Sequence, residues 1–183
     1  MKGMFLKSIL VALLIFTFVV PSSFALREIQ RTTPDLVRSS SDIVVAKCIS
    51  SETVKDEKYN FVFTYITFEI EDSVKELIGS DELVLRMPGG EYDGILVDIP
   101  GMPNFQTDRE YVIYLGKKNA DGFHTIQSPN HGVFHVITDD STGSRIVLGT
   151  PRDMTVYENS TSRIISDQSV TVENFIYSLK KIK

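Results

Sequence analysis

Histidine and cysteine are residue types that often bind metals or act as catalytic groups, and this 183-residue chain has three histidines and one cysteine. His131 and His135 are four residues apart, which is the spacing of a metal-binding pair on a helix. The residues between them (GVF) favour a turn that leads into a strand, where residues four apart lie about 13 Å from each other. His124 could approach His135 across a hairpin, but no acid or cysteine supplies a third ligand at a fixed spacing. The sequence therefore predicts neither a metal site nor a cofactor site.

No Ser, Thr or Cys of the chain lies in a recognisable catalytic motif. The chain lacks G-x-S-x-G, H-E-x-x-H and a phosphate-binding loop that ends in Lys-Ser or Lys-Thr. Cys48 lies in DIVVAKCIS, a run rich in β-branched residues, which predicts a small buried hydrophobe in a strand. TDDSTGS, residues 138–144, lacks the alternating carboxylates and closing Glu of a calcium loop, so it predicts a hairpin turn. A hydrolase is the alternative to a non-enzymatic protein. Its site would be assembled from distant residues such as Asp93, Asp98, His124 and His135.

The stretch MPGGEYDGILVDIPGMP, residues 87–103, concentrates turn residues around one short apolar run. Its Gly-Gly and Asp-Gly pairs permit two sharp reversals around a predicted strand, Ile95–Ile99, and Pro-Gly at 100–101 fits the centre of a type II turn. No helix with a basic residue follows the double glycine, so a phosphate cradle is not supported. Apolar side chains in such turns are unfavourable in solvent unless they pack locally or meet a partner. The candidate partner-binding residues are therefore Gly89, Gly90, Glu91, Tyr92, Pro100, Gly101, Met102, Pro103 and Phe105.

The N-terminal segment predicts export. Lys2 and Lys7 give a positive start before an apolar run of 12 residues, Ile9 to Val20. The PSSFA that follows ends in small residues of the kind that a signal peptidase reads. A bilayer span needs about 20 apolar residues. We therefore interpret residues 1–25 as a cleaved signal peptide, with no membrane span afterwards and a periplasmic or extracellular location.

The composition narrows the class of partner. The whole chain has a net charge of −5, and removal of the two lysines of the signal peptide would leave −7. This acidic balance disfavours nucleic acid, because phosphate binding depends on clustered Lys and Arg. A single cysteine excludes an internal disulfide, so an exported domain of this size must rely on apolar packing.

Turn residues divide the rest of the chain into short apolar runs that are typical of an all-β, or β-rich α+β, fold. Apolar residues alternate on both sides of Arg109–Leu115, which predicts a central strand covered on both faces. Phe61, Phe63 and Tyr65 reverse the facial bias of their strand, as in strands that bend around a barrel. The predicted strands are Ile43–Val54, Phe61–Glu71, Leu83–Met87, Ile95–Ile99, Arg109–Leu115, Phe123–Gln127, Val133–Ile137 and Arg145–Leu148.

Helical and irregular segments flank the predicted β domain, residues 42–148. In the N-terminal arm, residues 26–41, Thr33 can cap a short helix that has Pro34 in its first turn. DSVKELIG, residues 72–79, predicts a helical turn or a β-turn. Residues 149–183 are expected to form a surface arm, with a glycosylation acceptor at Asn159, and then an amphipathic helix from Thr171 that packs on the barrel.

Six segments between Ser41 and Val136 resemble a group of exported bacterial proteins that have no assigned activity: SDIVVAKCIS, YITFEIEDSVKELIG, LRMPGG, IPGMPNF, DREYVIYLG and GVFHV. The first two are also similar to the start of the netrin-like module of tissue inhibitors of metalloproteinases. The resemblance implies an OB-like, netrin-like closed barrel of five or six strands whose loops are available to a partner. In those inhibitors an N-terminal cysteine blocks the protease zinc and disulfides staple the module. This chain has neither, so that mechanism does not carry over to its residues.

These observations predict an exported, non-enzymatic module that binds a protein partner, with a protease as one candidate, through the turn-rich stretch. The alternatives are the hydrolase and an envelope component that assembles with itself.

Overall fold

The computed structural model describes residues 32–75, 79–149, 155–158, 161–164 and 170–182. The predicted signal peptide, the centre of DSVKELIG and the Asn159 acceptor lie outside the described residues. The bounds of the strands and helices, numbered along the chain, are α1 Thr33–Ser39, β1 Asp42–Asp56, β2 Phe61–Ser73, β3 Glu82–Pro88, β4 Gly90–Tyr92, β5 Ile95–Val97, β6 Glu110–Lys118, β7 His124–Ile126, β8 Val133–Thr138, β9 Arg145–Val147, β10 Thr155–Glu158, β11 Thr161–Ile164, β12 Val170–Thr171 and α2 Val172–Ile182.

Five strands form a closed barrel in the order β1-β2-β3-β7-β6. β1 is long enough to pair with β2 along its length and with β6 through its first six residues, and it therefore belongs to both sides of the barrel. The ring closes where β7 pairs antiparallel with β6 and parallel with β3. The predicted all-β, OB-like barrel is confirmed.

β6 separates two hydrophobic cores. Its side chains alternate between the faces of the sheet, so Tyr111, Ile113 and Leu115 enter the barrel interior. Val112 and Tyr114 enter a second core, which is completed by the sheet extension β8-β9-β12 and by both helices. All five side chains are fully buried, which confirms the prediction of a strand covered on both faces.

Both predicted helices are present. α1 begins one residue earlier than the sequence suggested, because Thr32 rather than Thr33 is the N-cap and accepts a hydrogen bond from the Asp35 amide at 3.3 Å. α2 buries its apolar stripe against the second core, with Phe175 and Leu179 fully buried. Among the described residues, no helix is long and apolar enough to cross a bilayer.

Part of the segment that was expected to form an extended surface arm is paired in the structure. Thr155–Glu158 and Thr161–Ile164 pair as an antiparallel hairpin rather than running as an extended arm. Both segments contain β-branched residues, which favour strands, but four residues are too few to establish a period in the sequence.

Candidate functional site

The turn-rich stretch forms a β-hairpin instead of an isolated strand between two reversals. Asp93 and Gly94 are its two turn residues, and both have positive φ values, 51° and 73°. Such turns match the twist of the flanking strands, so β4 and β5 pair as a separate two-stranded sheet. We call residues Gly90–Val97 the projecting hairpin.

The tip of the projecting hairpin exposes large apolar side chains on both faces. Tyr92 lies directly opposite Ile95, and Glu91 lies opposite Leu96. Because consecutive side chains of a strand point to opposite faces, Ile95 and Leu96 lie on different faces. They are 67% and 70% exposed. Neither face of the tip is therefore covered by the barrel.

The base of the hairpin is fixed against β1 and β2. The Gly89 amide donates to the Val62 carbonyl, and the Thr64 hydroxyl donates to the Gly89 carbonyl, both at 2.8 Å. Gly90 has a φ of 124°, and a Cβ there would overlap the Thr64 hydroxyl and lie 2.8 Å from Thr53 Oγ1. Glycine is required here because a side chain would push the hairpin off the barrel.

The second predicted segment, Pro100 to Phe105, begins with the type II turn that the sequence predicts. Gly101 has a φ of 83°, and the Met102 amide donates to the Ile99 carbonyl at 3.2 Å. Met102 is exposed, while Pro103 is half-buried.

The structure does not support the prediction that Phe105 contacts a partner. Its ring is only 6% exposed and packs edge-to-face on Phe68 and Tyr111, with ring centroids 5.0 and 4.9 Å apart. The Gln106 amide donates to the Tyr111 hydroxyl at 2.7 Å, which holds this segment on the barrel. Phe105 therefore closes the barrel core and is not available to a partner.

The segment that contains the projecting hairpin is acidic. Glu91, Asp93 and Asp98 are all exposed, and no Lys or Arg occurs between Met87 and Asp108. The charged side chains that this segment itself contributes are thus all negative.

The two histidines named for the alternative hydrolase site lie far apart. Asp93 and Asp98 belong to the hairpin segment, while the two histidines lie on strands that flank β6. His124 pairs with Lys118 and His135 with Tyr111, seven residues apart along β6, which separates the two histidines by about 20 Å. Within the described part of the chain, no group of three or more His, Cys, Asp or Glu side chains could hold a metal ion.

Cys48 is a buried free thiol in β1. Burial raises its pKa, and Sγ lies 3.7 Å from the Ser50 carbonyl. Since the thiolate is the reactive form, these features support the interpretation of Cys48 as a packing residue.

Sequence reasoning missed one cluster, which is centred on Arg86 of β3. The guanidinium carbon lies 4.5 Å from the ring centroid of Phe63 and 5.3 Å from those of Tyr59 and Phe123. Its Nη2 donates to the Asp121 carboxylate at 2.5 Å. The cluster ties the β1–β2 loop to the β6–β7 loop. The available signal was the outward-facing aromatic run of β2, but its cationic partner lies more than 20 residues away.

The Asp121 carboxylate gives this cluster a pH dependence. Hydrogen bonds from Tyr59, Arg86 and Lys58 hold its pKa below the usual range. A carboxyl with a depressed folded-state pKa adds stability above its unfolded pKa, about 4, and that stability is lost as the pH falls through the folded pKa. We expect Asp121→Asn to lower the melting temperature at neutral pH. In acid, the melting temperature of the variant is expected to approach that of wild type. If the melting temperatures of the variant and wild type differed by the same amount at neutral pH and at pH values well below about 4, Asp121 would not be the source of the pH dependence.

Searches against protein-family models, curated proteins and solved structures find no match to this chain.

Proposed function

We propose that this protein is an exported, non-enzymatic binding module that recognises a protein partner through the projecting hairpin. The observation that carries the proposal is the exposure of Ile95 and Leu96 on opposite faces of a hairpin whose base is fixed. Burial of one such side chain is worth about 1.5–3 kcal/mol. A partner that covers both would therefore gain affinity, and the fixed base reduces the entropy lost on binding.

The charge of the surface favours a protein over other ligands. The exposed acids of the hairpin's own segment, Glu91, Asp93 and Asp98, repel nucleic acid phosphates and anionic lipid headgroups. The separation of His124 from His135 supports a non-enzymatic role. The proposed periplasmic or extracellular location depends on the N-terminal sequence, and a protease is one partner class that the resemblance suggests.

Affinity capture tests the proposal. The full-length chain with a C-terminal tag is expressed in its own host, and the proteins that co-purify from the envelope and secreted fractions are quantified. We expect Ile95→Ser/Leu96→Ser to reduce capture of the main partner at least about tenfold, because truncation of central apolar contacts typically costs 2 kcal/mol or more. The folded barrel is unchanged, since neither side chain belongs to a core cluster.

The matched control is Ile137→Ser/Tyr177→Ser, which removes two exposed apolar side chains from other elements. This control is expected to capture as much partner as wild type. Equal capture by the hairpin variant and wild type, or capture of nothing but further copies of this chain, would contradict the proposed function. The second outcome would favour the self-assembling envelope component, and sizing chromatography at several concentrations would establish it.

A further inference from the structure

The two faces of the projecting hairpin differ in chemistry. One face carries Tyr92 and Ile95, which lie directly opposite each other and are both exposed. The other carries Leu96 opposite Glu91, with Asp98 exposed just beyond the end of β5. The tip thus presents an apolar face and an acidic face with one central leucine.

Because both faces of the hairpin are exposed, the shape of the partner's binding surface is restricted. A flat partner could cover only one face of a two-stranded hairpin and would leave Ile95 or Leu96 in water. A cleft with walls on both sides covers both, and packed sheet layers require about 10 Å between their mid-planes. The tip residue, Asp93, is exposed and enters such a cleft first.

We propose, building on the function proposed above, that the partner is a protein with a cleft that has one apolar wall and one basic wall. The apolar wall contacts Tyr92 and Ile95. The basic wall supplies Lys or Arg to Glu91 and Asp98 and packs its aliphatic stems on Leu96. Between Met87 and Asp108 the chain has three acids, Glu91, Asp93 and Asp98, and no Lys or Arg. Charge complementarity therefore favours a basic partner surface and sets the orientation of the hairpin in the cleft.

Site-specific photo-crosslinking tests each wall separately. A benzophenone amino acid, p-benzoylphenylalanine, replaces Ile95 in one full-length variant and Leu96 in another. Each variant is irradiated in its own host, and the crosslinked residues of the partner are identified by mass spectrometry. We expect adducts from position 95 in an apolar segment and adducts from position 96 in a segment rich in Lys and Arg.

Charge reversal provides the second readout. Glu91→Lys/Asp98→Lys is expected to lower the adduct yield from position 96 about tenfold or more, since like charges across an interface are strongly unfavourable. Glu57→Lys/Asp140→Lys has the same net charge change at exposed positions elsewhere and is expected to keep the wild-type yield.

The outcomes separate this inference from the proposed function. Adducts at both positions in segments without Lys or Arg, or an adduct yield that charge reversal does not change, would overturn the basic wall while leaving partner recognition by the hairpin intact. Adducts to a second copy of this chain would overturn the two-walled cleft. The absence of adducts at both positions would overturn the proposed function as well.

Discussion

Phe105→Ala is expected to lower the free energy of unfolding by about 3–5 kcal/mol, as is typical when a buried aromatic side chain is removed. The reason is geometric. Phe105 packs on Phe68 and Tyr111 inside the barrel and is almost completely buried. Partial collapse around the new cavity would place the loss at the lower end of the range. Denaturant unfolding followed by far-UV circular dichroism measures the change.

Met102→Ala is the matched control, because Met102 lies in the same segment but is exposed. Its free energy of unfolding is expected to stay within about 0.5 kcal/mol of wild type. If both variants unfolded at the wild-type denaturant concentration, the assignment of Phe105 to the barrel core would be wrong.

Gly90→Ala is expected to lower the free energy of unfolding by about 2–4 kcal/mol, from backbone strain and overpacking together. The new Cβ would overlap the Thr64 hydroxyl at a φ that only glycine adopts readily. The hairpin must then lift from β1 and β2, so partner capture is expected to fall although the exposed side chains of the tip are unchanged. Thermal unfolding and the capture assay give the two measurements.

Gly94→Ala separates strain from steric overlap. Gly94 also has a positive φ, 73°, but a Cβ there would meet nothing within 4 Å. The free energy of unfolding is expected to fall by only about 1–2 kcal/mol, because left-handed backbone strain is the sole cost. Equal losses for the two alanine variants would show that the close approach of Gly90 to β2 does not hold the hairpin in place.

The parts of the fold that sequence predicted well are those encoded by local patterns. Alternating apolar residues mark β6 as covered on both faces, and helical spacing marks the buried stripe of α2. The type II turn also follows from two adjacent residues, since Pro fixes the φ of the first and Gly permits the positive φ of the second. In each case the decisive information lies within a dozen residues.

Two of the parts that sequence missed, the Phe105 contact and the Arg86 cluster, depend on distant contacts, whereas β4 was missed because it is short. β4 has three residues, which is too short for a periodic signal, and its pairing depends on a turn that also fits an isolated reversal. Phe105 lies in an irregular segment without any period, and only closure of the barrel brings Phe68 and Tyr111 to it. The Arg86 cluster likewise joins residues from three separate segments of the chain, so its charge pairing was invisible to spacing arguments.

The central claim is that the barrel is stable without the projecting hairpin's apolar tip, whereas recognition requires that tip. The most direct test measures both quantities on one variant, Ile95→Ser/Leu96→Ser. We predict a melting temperature within a few degrees of wild type, as for other surface substitutions, together with loss of partner capture. A variant that unfolds much earlier than wild type, or one that captures its partner as well as wild type does, would contradict the claim.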